Sequence, residues 1–345
     1  MKNIFFICLC ALFAFTGCAD DDDDLLTGGN VDIDLLPDSK PNDVVNTNVF
    51  DIINLNYPGL EKVKEFYETG EYYYAANALL EYYRTRTNVT NPNLSLINVT
   101  ISEADQTKAD YALEDYRFHV NNFYEDQETL KPYSLKKDGT INWTFSPEGA
   151  SDEYQKQLHR HQWFIPQAKA YRISGNEKYI QSWIEVYNNW IDQNPKPESG
   201  TNTTSWWQLQ VATRINDQVQ LLEYFKNSIN FTPEWLTTFL VEFAEQADFL
   251  VDYPYESGGN ILISQANALA TAGTLMPEFK NAEKWMETGY QILSEEVQNQ
   301  IMSDGWHKEM SLHYHISIVA DFYEAMKLAL SLIHISEPTR QAEIS

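Results

Sequence analysis

Beyond Val49 the apolar positions recur mostly at three- and four-residue intervals, and two-residue alternation is rare. That spacing predicts helices rather than strands. Pro58-Gly59 opens one helix, Gly70 breaks it, and residues 71–86 form a second. A polar segment over 87–101, containing Pro92, reads as a loop, and 103–115 is helical again. The least regular stretch is 126–150, with Pro132, Gly139 and Pro147. A helix then starts at Asp152, runs through His161, kinks at Pro166 and ends near Gly175. Further helices are expected over 176–191, 205–225, 233–251, 260–273, 281–301 and 311–330. Short linkers bearing Gly or Pro favour antiparallel neighbours, so the pattern is all-α, a run of helical hairpins closing into an α/α toroid or an irregular solenoid.

The last of these helices carries two apolar stripes. Leu312, Ile316, Val319, Tyr323, Met326 and Leu330 make one, and Tyr314, Ile318 and Phe322 the other. A helix apolar on two sides is expected to be buried on both. The segment after Leu330 has no physical relation to this helix. Residues 331–340 resemble a translated sequencing adapter, and a non-native tail is expected over 331–345.

Composition adds a compartment. Lys2 precedes an apolar run from Ile4 to Phe15, then Thr16-Gly17-Cys18. This reads as a signal peptide over 1–18, too short to span a membrane stably. Small residues before Cys18 resemble a bacterial lipobox, whose cysteine is lipidated. Asp20 to Asp24 and the Gly- and Pro-containing stretch to Thr47 then form an acidic tether over 19–47. The expected location is therefore a lipid anchor at the bacterial outer membrane, facing periplasm or cell surface. The three cysteines all lie within the first 18 residues, so the body from residue 48 has neither disulfides nor thiolate metal sites. A net charge of −26 argues against nucleic acid as a partner.

Four patches could carry chemistry. The segment 306–315 places His307, His313, Tyr314 and His315 beside Ser311, a good N-cap, with Leu312 at the first helical position. Unpaired N–H groups and the macrodipole at a helix start favour negative charge, which suits a tyrosine acting as a base. Gly258-Gly259 delivers Asn260 to another helix start, where Asn is equally a good cap. His161 shares a face with Leu158 and Ile165 and reads as a core histidine or a substrate contact. Trp207, Gln210 and Arg214 fall at i, i+3 and i+7, an aromatic platform beside an amide and a guanidinium. The same face reads equally as a surface with an Arg214–Asp217 pair.

Segments 55–63, 76–84 and 157–164, Trp206 with Leu209 and Arg214, and His313-Tyr314-His315 together resemble the heparinase II/III family of polysaccharide lyases. Leu158-His159-Arg160-His161 with Trp163-Phe164, and His313-Tyr314-His315, are the more specific parts. The resemblance covers residues 48–330 and implies an incomplete α/α toroid, without the C-terminal β-sandwich domain in which family members continue. It implies β-elimination across C4–C5 of a uronic acid in an acidic, heparan sulfate-like polymer. Asn260 would neutralise the uronate carboxylate, and Tyr314 would serve as acid and base. His161, Trp163, Trp207, Gln210, Arg214, His313 and His315 would hold the sugar chain. A histidine from the absent domain usually completes the site. The resemblance implies no cofactor for this part of the protein, and it leaves a metal in the absent domain open. Ile261 and Gln265 stand where His and Glu are common in heparinase III-like members, Gln210 where an acid is common and Trp207 where an Arg is. The rival expectation is a non-catalytic, glycan-binding surface lipoprotein.

Overall fold

The computed structural model describes residues 41–120, 125–200 and 204–342, with side chains as far as residue 332. The signal peptide, Cys18 and most of the tether lie outside the described residues. The end of the expected tether does not: Asn42–Val44 forms a short 3-10 turn, Val45 is buried, and the Asn46 N–H donates to Thr237 Oγ1 at 3.0 Å.

From Val49 the chain is helical hairpin after helical hairpin. The helices are α1 (Val49–Ile52), α2 (Glu61–Glu68), α3 (Tyr72–Thr85), α4 (Glu103–Ala112), α5 (Glu153–Leu158) and α6 (Phe164–Ser174). They continue with α7 (Lys178–Gln193), α8 (Gln208–Phe225), α9 (Pro233–Asp252), α10 (Gly259–Leu275), α11 (Ala282–Gln300) and α12 (Leu312–Ala342). Local chemistry explains most boundaries. Ser102 caps α4 by accepting from the Asp105 N–H, and Thr232 caps α9, with Pro233 at its first position. Gly175, at φ 66°, closes α6 in the left-handed conformation. The irregular stretch folds into two hairpins of two-residue strands, Glu125–Asp126 against Lys131–Pro132 and Lys136–Lys137 against Thr140–Ile141.

Three differences from the periodicity reading bear on the site. The helix expected to run from Asp152 through His161 stops at Leu158, and Pro166 sits in the first turn of α6, where its missing N–H costs nothing. Leu158, His161 and Ile165 therefore share no helical face. In addition, α12 is buried on one side only. Ile318, Ala325 and Leu328 are buried, whereas Leu312, Ile316, Val319, Tyr323, Met326 and Leu330 are all exposed, at 47–61%. Backbone of α12 also continues unbroken past Leu330 to Ala342.

The core is aromatic. Trp183 stacks on Phe225 with ring centres 5.2 Å apart and meets Trp235 edge-on at 5.1 Å, geometries that add to simple burial. The N-terminal hairpin α2–α3 is fastened to the far end of α10. Glu278, fully buried, accepts from Arg86 Nη1 at 2.8 Å and from the Tyr82 hydroxyl at 2.8 Å. Helices α10 and α11 run antiparallel at very close range. A Cβ on Gly273 would stand 2.3 Å from the Ala282 carbonyl oxygen, and one on Gly289 would stand 2.5 Å from the Ala270 nitrogen. Only glycine fits at either position.

Candidate functional site

The expected site residues divide into a buried set and a rim. His161 is 3% exposed, at φ 60°, and its ring is enclosed by Trp143, Trp163, Phe164, Tyr187 and Trp190 at centre distances of 5.0 to 5.8 Å. Burial, then Arg214 and His159, hold its pKa well below the ordinary histidine value. It is a neutral core histidine. Trp163 is 1% exposed, and its face is taken by Phe118 at 4.0 Å.

Arg214 is not on a surface, and Asp217 is not its partner. Its Nε donates to Gln246 Oε1 at 2.7 Å, and its Nη1 donates to the carbonyls of His159 and Ser205, each at 2.8 Å. The guanidinium lies 4.3 Å from the Trp190 ring centre. Burial lowers its pKa to about 10, still far above neutrality. Arg214 thus ties together α8, α9, the turn before α6 and the entry to α8. Gln210 is fully buried, and its amide donates to the Thr204 carbonyl at 3.2 Å. The i, i+3, i+7 face does not form, because α8 begins at Gln208 and Trp207 is its N-cap residue. The neighbouring Trp206 indole donates to the Asn194 carbonyl at 2.8 Å, which draws Trp206 into the core and leaves Trp207 half-buried.

At the rim the structure brings together the starts of three helices. Trp207 carries the Lys156 ammonium 4.7 Å from its ring centre and has Tyr255 edge-on at 6.3 Å. Tyr255 belongs to the loop that delivers α10. Asn260 is the second residue of α10, half-buried, and the N-cap position belongs to Gly258, so Asn260 does not serve as a cap. Its amide makes no hydrogen bond to another described residue. The loop before α12 lies against this start, since a Cβ on Gly259 would stand 3.2 Å from a Glu309 carboxylate oxygen.

Helix α12 begins at Leu312, and the His315 N–H bonded to the Ser311 carbonyl at 2.9 Å puts Ser311 at the N-cap position. Tyr314 is 39% exposed, with His313 edge-on at 5.7 Å. His315 packs on Trp306 at 4.6 Å, and its Nδ1 is buried without a hydrogen-bond partner among the described residues. Farther along, Ser264 Oγ donates to Asp321 Oδ2 at 2.7 Å and Asn267 Nδ2 to Asp321 Oδ1 at 3.3 Å. Ser264 lies one turn past Asn260 and Asn267 two, while Asp321 lies two turns past Tyr314. Taken with the approach of Glu309 to Gly259, these contacts mean that α10 and α12 run in the same direction from a shared end. Asn260 and Tyr314 are therefore both at that end. Lys156 is a rim residue the sequence pattern did not disclose: Lys156 and Trp207 are far apart in the chain, and only the fold stacks them.

Residues 49–337 match the family model described as Heparinase II/III N-terminus. The chain belongs to this family. A heparin-sulfate lyase from Bacteroides thetaiotaomicron is 89% identical to this heparinase II/III chain over 329 residues, which are 95% of this chain and 47% of that protein. Another, from Bacteroides stercoris, is 38% identical over 302 residues, 83% of this chain and 44% of that one. The crystal structure of heparinase III superposes with a TM-score of 0.81 at 89% identity, covering 83% of this chain and 43% of that one. The chain spans about half the length of the curated relatives it matches.

Within the heparinase II/III frame, two departures acquire physical reasons. Gln265 is fully buried, accepts from the Tyr255 N–H at 3.0 Å and donates to the Leu250 carbonyl at 2.6 Å. A glutamate there would face that carbonyl without a proton to give. Gln210 likewise donates to a carbonyl, so neither glutamine stands in a cleft as a lost catalytic acid. Among the described residues no group of three or more His, Cys, Asp or Glu could hold a metal ion, and no helix is long and apolar enough to cross a membrane.

Proposed function

We propose that this domain supplies the substrate cradle and the acid/base of a polysaccharide lyase acting on a heparan sulfate-like uronate polymer. The observation that carries this reading is the shared end of α10 and α12. It presents an uncommitted amide, Asn260, and an exposed phenol, Tyr314, beside the Trp207–Lys156 platform. The 89% identical relative being a heparin-sulfate lyase supports the substrate class.

The chemistry needs these groups. The C5 proton of a uronate leaves only if the adjacent carboxylate ceases to repel the charge developing at C5. The Asn260 amide donates hydrogen bonds to that carboxylate as the charge grows. The Tyr314 oxygen takes the C5 proton, the C5–H electrons form the C4–C5 double bond, the C4–O4 bond breaks, and O4 receives a proton in return. Trp207 offers a face to a sugar ring, and Lys156, paired at 2.7 Å with the exposed Asp152, exchanges that carboxylate for an acidic substituent of the substrate. His313 and His315 flank the phenol and complete the rim. The buried His161, Trp163, Gln210 and Arg214 act through the scaffold and do not touch the sugar. The reading includes a lipid anchor at Cys18 on the outer membrane, supported by the lipobox pattern.

The test uses this chain continued by the remaining half of the B. thetaiotaomicron relative. Tyr314→Phe should abolish ultraviolet absorbance from the unsaturated uronate while heparan sulfate still binds. Undiminished absorbance would remove Tyr314 from the reaction. Binding without absorbance in the unmutated chain would leave a glycan-binding module.

A further inference from the structure

We propose that Gln300 and His307 form a positioning pair that sets the start of α10 against the start of α12, and with them Asn260 against Tyr314. The inference rests on the lyase reading for its consequence and on the geometry for its existence. Helix α10 is entered through Gly258 and Gly259, at φ 67° and 72°. Two successive glycines in that region leave the backbone free to turn, so something outside the segment must hold it.

Gln300, the last residue of α11, does so. It is fully buried, and its Nε2 donates to the Gly259 carbonyl at 3.1 Å and to the Glu296 carboxylate. A peptide unit is planar, so fixing the Gly259 oxygen also fixes the plane that carries the Asn260 N–H and Cα. The other end of the same amide faces His307, which is fully buried as well. Gln300 Oε1 meets His307 Nε2 at 2.9 Å. His307 Nδ1 accepts from the Glu309 N–H at 3.4 Å, so the proton of the neutral ring sits on Nε2 and is donated to Gln300. The Lys308 N–H closes onto the Gln300 carbonyl at 2.9 Å, and Ile301 pairs with His307. A directed chain thus runs from the segment entering α12, through one imidazole and one amide, to the peptide that bears Asn260. Every donor in it has an acceptor, and reversing the amide would set two donors against each other.

Hydrogen exchange in this chain tests the pair without reference to catalysis. Gln300→Ala and His307→Ala should each speed exchange of the amides at 263–265 and 315–317 by tenfold or more, with 183–190 in α7 unchanged. His307→Gln, whose amide nitrogen takes the place of Nε2, should restore protection at both helix starts. Gln300→Met fills a similar volume with neither donor nor acceptor, so it should loosen both helix starts while keeping the buried packing. This substitution also decides the matter if the alanine variants fail to fold.

In the continued, full-length chain, the alanine variants should lower kcat at least tenfold with KM within twofold, and His307→Gln should recover it. Unchanged exchange at both helix starts overturns the pair. So does faster exchange with unchanged kcat in an enzyme that Tyr314→Phe inactivates. If Tyr314→Phe stays active, the lyase role of Tyr314 fails, and exchange alone decides whether the pair pins the two starts.

Discussion

Arg214 shows how a functional-looking residue can be spent on the scaffold. A buried cation is tolerated only where hydrogen bonds replace its hydration, and here Gln246 and two backbone carbonyls do so beneath the Trp190 ring. Lysine cannot reproduce the planar fork. Arg214→Lys should therefore cost roughly 3 kcal/mol of unfolding free energy in urea denaturation, reading the loss as one or two charged hydrogen bonds. A cost within a few tenths of that of an exposed Arg→Lys change would refute the scaffold role. The sequence held the residue and its neighbours but not the depth. Trp206 and Trp207 are identical letters, and only the Trp206 bond to Asn194 decides which of them goes inside. Tyr314 is more legible, because the apolar spacing from Leu312 onward already places it in the first turn of a helix, where the structure has it.

Among the elements, α10 and α12 are joined by one acid. Burial raises the Asp321 carboxyl to about 6, against the hydrogen bonds from Ser264 and Asn267 that favour its charged form. Between the ordinary aspartate value of about 4 and the folded value of about 6, the native state holds a proton that the unfolded chain has lost, so stability contributed here falls as pH rises across that window. Asp321→Asn removes the titration. The stability of the parent chain relative to this variant should accordingly decline from pH 4 towards pH 7, as followed by urea midpoints. A constant difference across that range would sink the assignment. The order of the longer helices, α7 to α11, is readable from periodicity, whereas the short α1 and the two strand hairpins over 125–141 are not. Nor is the break at Leu158, since Leu158, His161 and Ile165 match helical spacing although His161 takes a left-handed backbone and its ring enters an aromatic cage. Pattern reports which positions are apolar, and tertiary packing decides whether the chain reaches them as one helix.

At the scale of the whole molecule, the outer stripe of α12 is the largest departure from expectation. Two apolar stripes imply two covered sides, and the structure covers the one with Ile318, Ala325 and Leu328. Leu312, Ile316, Val319, Tyr323, Met326 and Leu330 make a continuous exposed face at alternating spacings of four and three, the kind of surface that binds dyes and self-associates. Replacing Ile316, Val319 and Tyr323 together by Glu, Lys and Glu should lower fluorescence of a bound hydrophobic dye severalfold and reduce light scattering at high concentration, with the circular dichroism of the helices retained. Unchanged dye binding would place the sticky surface elsewhere. A further consequence concerns synthesis and follows from Glu278. Arg86 and Glu278 are 192 residues apart, yet their bond fastens the first hairpin to the end of α10. A ribosome adding about 5–20 residues per second needs roughly 10–40 s to make the intervening chain. Arg86 meets its other acid, Glu223, 137 residues on, but the Tyr82 and Tyr83 hydroxyls have no carboxylate to receive them until Glu278 is made. The earliest helices to be made are thus among the last to be secured, and a chaperone would meet them first.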